Sequence, residues 1–167
     1  ALLGRGVARY RVDRAADALA DLALAARLAG ELGDRARWAR AHLELATAHD
    51  WLGRYDDSAR ACEAAARLPP DARDAAFERA LAMARGRTAV RAGLYAEARP
   101  ALEAALELEG DDPDDDRLIA QLLLGPTLVQ LGELLAAEQN FAAALAEAER
   151  LGDGLARCAA LGNRVLL

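Results

Sequence analysis

The sequence predicts an all-α fold, a row of antiparallel helical hairpins, and three observations carry that prediction. The first is a recurring corner. Leu52-Gly53-Arg54-Tyr55 is matched by Ala92-Gly93-Leu94-Tyr95 and by Leu131-Gly132-Glu133-Leu134, at steps of 40 and 39 residues, and a step of 40 back from Gly53 lands on Asp13. Self-similarity at a period of roughly 20–50 residues marks a repeat architecture. The second is composition. Hydrophobic residues make up 54% of the chain but aromatics only 4%, so alanine supplies much of the apolar surface, among strong helix formers and few β-branched residues. The third is spacing. Apolar residues recur at helical intervals and the connections are short, which makes neighbouring helices antiparallel.

Residues 2–11 read as a short first helix. Asp13 is expected to cap the second, which runs to about Leu32 with Leu19, Leu22, Ala26 and Ala29 as its apolar stripe. Gly33 ends it, and Asp34 caps the third, which runs to Leu52. The fourth covers about Tyr55 to Leu68, where Pro69-Pro70 cannot continue it. Asp71 opens the fifth, which reaches Ala92. The sixth, about Tyr95 to Glu109, contains Pro100, so it either begins late or bends there. Residues 110–116, Gly-Asp-Asp-Pro-Asp-Asp-Asp, form the longest loop. The seventh, about Asp114 to Leu131, is expected to kink at Gly125-Pro126, because Pro126 cannot donate to the carbonyl of Leu122. The eighth runs from Leu134 to Leu151. Gly152-Asp153 repeats the stop-and-cap signal of Gly33-Asp34, and a ninth helix begins near Gly154. These helices group into units of about 1–33, 34–70, 71–110, 111–152 and a partial 153–167, all one repeat domain.

A net charge of −6 argues against general nucleic-acid binding. No apolar run reaches the roughly 18 residues a membrane span needs, and no signal peptide is visible, so a cytoplasmic protein is expected. The opening Ala1 and the apolar close Val165-Leu166-Leu167 read as a fragment of a longer protein. Cys62 and Cys158 fall on different repeats, so two free, buried thiols are expected in a reducing compartment.

At these residues the chain resembles the tetratricopeptide repeat, whose hallmark is W-x₂-L-G-x₂-Y, then A-x₃-F, then P. The second unit offers His42, Leu45, Ala46 and His49, then Ser58, Cys62 and Pro70. The third offers Ala82, Arg85, Gly86 and Ala89, then Ala98 and Leu102. The fourth offers Gln121, Leu124, Gly125 and Leu128, then Ala137 and Phe141. Gly6, Ala18 and Leu22 mark the first, and Cys158, Leu161, Gly162 and Val165 the fifth. The bulky aromatics of the hallmark are mostly missing, and Arg5 and Arg85 stand where Leu is usual. The small residues at 6, 46, 86, 125 and 162 let helices approach, with Ala18, Ser58, Ala98 and Ala137 as their small partners. The long units are similar to those in regulatory arms of bacterial signalling ATPases and transcription activators, and in the cargo-binding arms of kinesin light chains. The resemblance implies a right-handed superhelical solenoid and a ligand-lining concave groove.

Several constellations invite chemistry. His42 and His49 share a helix face, and Cys62 lies at the neighbouring core position, so the three could hold zinc. A fourth ligand and supporting shell are missing, and the preferred reading is core filling. The Asp run at 111–116 fails the calcium-loop pattern, which needs Gly at its sixth place and Glu at its twelfth. A solvated, helix-capping loop is expected instead. Gly4-Arg5-Gly6 lacks the Lys and Ser/Thr of a phosphate loop. Ser58, the one serine, is expected to be buried without a substrate cleft. No enzyme activity, metal or cofactor is therefore expected.

The expected function is a protein- or peptide-binding scaffold inside a regulatory protein. Its groove is read as Tyr10 and Arg11, then Leu43, Thr47, Asp50 and Trp51, then Met83, Arg87, Val90 and Arg91, then Leu122, Pro126 and Val129. Large aromatics beside Arg suit a peptide with apolar and acidic residues. The alternatives are a small-molecule-sensing arm and a structural module that self-associates through its C-terminal helix. Gly86 is expected to face Ala98, and Arg73 to be exposed and dispensable.

Overall fold

The computed structural model describes residues 1–108 and 115–165, so the Asp-rich loop reading lies largely outside the described residues. Among them are nine α-helices and one 3-10 turn, and no strand. They are α1 (Leu2–Arg11), α2 (Ala15–Glu31), α3 (Arg35–Trp51), α4 (Tyr55–Ala65), α5 (Ala75–Arg91), α6 (Tyr95–Glu107), α7 (Asp115–Gln130), α8 (Leu134–Leu151) and α9 (Gly154–Arg164). None is long and apolar enough to cross a membrane. The chain divides into two compact units, Ala1–Ala84 and Arg85–Leu167, with the boundary inside α5.

The corners explain the repeat. Gly33, Gly53, Gly93, Gly132 and Gly152 all have φ between +68° and +78°, a region that glycine enters without a Cβ clash. At each, the next residue's N–H returns to the carbonyl five residues back, as Arg54 does to His49 at 3.0 Å and Leu94 to Ala89 at 2.8 Å. That bond closes the helix end. Asp13 has φ +59°, so it takes the glycine's place in the first corner. This corrects its reading as a cap: α2 has no side-chain cap, and Arg14 precedes it. Asp34 and Asp153 do cap, accepting from Arg37 N and from Leu155 N and Ala156 N.

The stretch between α4 and α5 differs from expectation. α4 stops at Ala65, and a 3-10 turn spans Pro70–Ala72. The cap of α5 is Asp74, accepting from Phe77 N at 2.7 Å, rather than Asp71. Arg73 is not a dispensable surface residue. Its Nε donates to Leu68 O at 2.6 Å, its Nη2 to Ala66 O, and its Nη1 to Glu78. It thereby satisfies carbonyls that the end of α4 leaves open.

α6 begins where the repeat puts it and runs on through Pro100. α7 likewise continues through Pro126. The carbonyl of Leu122, which Pro126 cannot serve, accepts instead from Asn163 Nδ2 of α9 at 3.3 Å.

The hairpins close by seating a large side chain on a glycine. A Cβ on Gly6 would stand 2.6 Å from Leu22, one on Gly86 2.6 Å from Leu102, and one on Gly125 2.1 Å from Phe141. The atoms nearest Gly86 are thus those of Leu102, while Ala18, Ser58, Ala98 and Ala137 are all fully buried. Burying each Leu or Phe contributes about 1.5–3 kcal/mol. In the first unit Leu22, Leu43, Leu45, Cys62 and Leu81 join a continuous alanine-rich core. In the second, Leu118 packs with Ala144, Ala148, Ala156 and Ala160. Arg5 does not pack as Leu would. Its Nε and Nη2 donate to the carboxylate of Asp21 at 2.7 and 2.6 Å, joined by Arg9 at 2.6 Å. This hydrogen bonding, led by Arg5, holds the Asp21 carboxyl below the usual carboxylate range.

Candidate functional site

In the first unit the face begins on α3. Leu43, Thr47, Asp50 and Trp51 sit at offsets of four, seven and eight residues, so they line one side of the helix. Leu43 and Asp50 are buried, Thr47 is half-buried, and Trp51 is 58% exposed. Leu43 belongs to the core cluster, so it floors the face rather than offering itself to a ligand. The Thr47 hydroxyl donates to Leu43 O at 3.2 Å. From α1, the half-buried Tyr10 donates its hydroxyl to Glu44 at 2.8 Å. Arg11 beside it is exposed. Sequence reasoning missed Glu44, although it adjoins Leu43 and precedes Thr47 by three.

Met83 on α5 is buried, and so is Arg79 one turn earlier on the same side. Arg79 was also missed in the sequence reading. Its Nε and Nη2 have no hydrogen-bond partner among the described residues. A buried guanidinium cannot shed its charge, so such donors are costly to leave unmatched. The available sequence signal was an Arg four residues before Met83.

In the second unit, α5 carries Arg87, Val90 and Arg91, and α7 carries Leu122, Pro126 and Val129, all half-buried. Leu122 packs against the Leu118 and Ala144 core. Pro126 fixes the local chain by releasing the Leu122 carbonyl to Asn163.

The histidines fill the packing between helices. His42 meets the Trp38 ring edge-on, with centroids 4.4 Å apart. Burial, then the nearby Arg67 charge, pushes its pKa below the ordinary value. His49 lies 4.0 Å from Asp57 and its Nδ1 is buried without a hydrogen-bond partner. Burial also lowers its pKa, against the pull of Asp57. The Ser58 hydroxyl donates to Ala46 O at 2.9 Å, inside the hairpin. Among the described residues, no three His, Cys, Asp or Glu side chains converge as metal ligands. Cys62 is a buried free thiol, but Cys158 is exposed, contrary to expectation, because its side of α9 is uncovered.

A cleft of about 430 Å³ opens in the first unit among Leu2, Leu3, Leu28, Leu32 and Arg37. Most of its lining residues are Leu or Ala, and the two charged ones, Asp34 and Arg37, already pair with each other at 3.1 Å. It therefore offers few converging polar groups to orient a small ligand. No protein-family model matches the sequence, and no curated protein matches it either.

Proposed function

We propose that this chain is a peptide-binding module of the tetratricopeptide type, a superhelical solenoid whose first helices of each unit present a ligand face. The observation that carries the reading is the α3 face of the first unit. An exposed indole, Trp51, stands one turn from Thr47 above a floor of Leu43 and Asp50, with the Tyr10–Glu44 pair alongside. Aromatic rings give large contact area at low entropic cost, and neighbouring polar groups fix register. Support for an acidic ligand comes from the half-buried Arg87 and Arg91 on the second unit, since a carboxylate matches two guanidinium N–H groups. Self-association through the C-terminal helix and small-molecule sensing are the competing readings. The cleft beside Leu28 gives the latter little support, because its charged lining residues, Asp34 and Arg37, are paired with each other.

The experiment is a display selection of acidic, apolar peptides against the whole chain, followed by titration of variants. Trp51→Ala should weaken the selected peptide about tenfold or more while leaving stability nearly unchanged, because the indole is exposed. Arg87→Glu/Arg91→Glu should likewise weaken a peptide selected on the second unit's own face. Unchanged affinity in both, with helical content intact by circular dichroism, moves the ligand off these faces.

A further inference from the structure

Of the helices wholly inside the first unit, α1 contributes least to its interior. Gly6 is its one buried residue in ten, whereas α3 buries seven of seventeen. Among the described residues, the buried core cluster draws on α2, α3, α4 and α5 but not on α1. Leu3 and Tyr10 pack against it half-buried. The cleft of about 430 Å³ opens at the start of α1, between Leu2 and Leu3, Leu28 and Leu32 of α2, and Ala41 of α3.

What fastens α1 is mainly polar. Arg5 and Arg9 stand one turn apart on one side of the helix. Both donate to the carboxylate of Asp21 on α2, at 2.7 and 2.6 Å from Arg5 and 2.6 Å from Arg9. The Asp21 side chain is 6% exposed, that of Arg5 57%. Arg9 also donates to Asp17 O at 3.3 Å, and Tyr10 to Glu44 on α3 at 2.8 Å. The apolar part is the seat of Leu22 on Gly6, and Leu22 also belongs to the cluster that joins α2 to α3. A buried ion pair adds little net stability, but removing one partner strands the other charge.

We propose that α1 is a flap latched by Asp21, which opens as a unit while α2, α3 and α4 stay folded. Elements with few buried apolar contacts open ahead of the whole fold, and α1 has the fewest in its unit. The α2–α4 core persists on opening because its buried cluster includes no part of the flap. Opening carries Tyr10 away and strips Glu44 of its hydrogen bond. For the α3 face that means losing one aromatic wall, a consequence that rests on the peptide-binding reading above. A ligand of that face selects the closed form, and the closed fraction scales its affinity.

The test is amide hydrogen exchange of the whole chain without ligand, read by mass spectrometry. The helix-bonded amides of residues 6–11 should exchange about tenfold or more faster than those of residues 43–50. Asp21→Asn should speed exchange in α1 about tenfold again and leave α3 unchanged, since two charge-assisted partners are lost. Arg5→Leu with Asp21→Leu puts an apolar pair in place of the latch and should slow α1 below the wild-type rate. Equal exchange of α1 and α3 in the wild-type chain overturns the proposal. So does an Asp21→Asn chain in which both helices speed up alike, which makes Asp21 a support of the whole unit. No peptide enters these measurements, so they hold or fail separately from the Trp51 titration.

Discussion

At Gly125 the fold depends on a missing methyl group. Alanine there would put a carbon 2.1 Å from the Phe141 ring. Gly125→Ala should therefore cost about 1–3 kcal/mol by overpacking. Gly162→Ala, on a helix side with open space, should instead add about 0.5–1 kcal/mol through helix propensity. Urea melts of the two variants check this, and equal shifts would mean the glycines are interchangeable. The histidines set a pH dependence. His42 and His49 have pKa values below their ordinary value in the fold, so protons go preferentially to the unfolded chain. Their contribution is fully present above about pH 6.5 and is lost as pH falls through that value toward the folded pKa. Asp21 acts lower. Its depressed pKa gives stability above about pH 3.9 that is lost as pH falls through its folded value. His42→Phe should flatten the loss between about pH 7 and 5.5 in thermal melts; an unchanged slope would remove His42 from the account.

At the scale of elements, α7 survives Pro126 because α9 supplies the missing donor. Asn163→Ala should cost about 1 kcal/mol by leaving the Leu122 carbonyl unpaired. Pro126→Ala restores a backbone donor, so the same Asn163→Ala change should cost less in that background. A double-mutant cycle reads the coupling, and additive effects would show that Asn163 does not serve that carbonyl. Arg73→Leu should cost about 1–2 kcal/mol, since two carbonyls at the end of α4 lose their partner. A melt indistinguishable from wild type would return Arg73 to the surface. These two residues also show where reading the sequence stops. The corners were legible because glycine is nearly obligatory at positive φ, and stepping by the period found even Asp13. The Asp13 side chain was misread because an acid before a helix signals a cap equally well. Arg73 and Asn163 carry no pattern, since their roles depend on carbonyls that only the folded chain brings within reach.

At the scale of the whole molecule, the same logic separates the fold from the site. Helices and hairpin seats repeat, so periodicity exposes them, and α8 appears with the bounds that periodicity gave it. A binding face does not repeat. Thr47 and Trp51 were legible as a second stripe on α3, whereas Glu44 emerges only from the Tyr10 hydrogen bond. The central claim is that this face receives a peptide, and Trp51 reports on it. The direct measurement is tryptophan fluorescence of a Trp38→Phe chain, where Trp51 is the remaining tryptophan, titrated with a selected acidic, apolar peptide. The account predicts a saturable blue shift as the exposed indole is covered, with affinity about tenfold or more weaker for Trp51→Ala by calorimetry. A peptide that binds with no change in Trp51 emission and equal affinity for Trp51→Ala would contradict it.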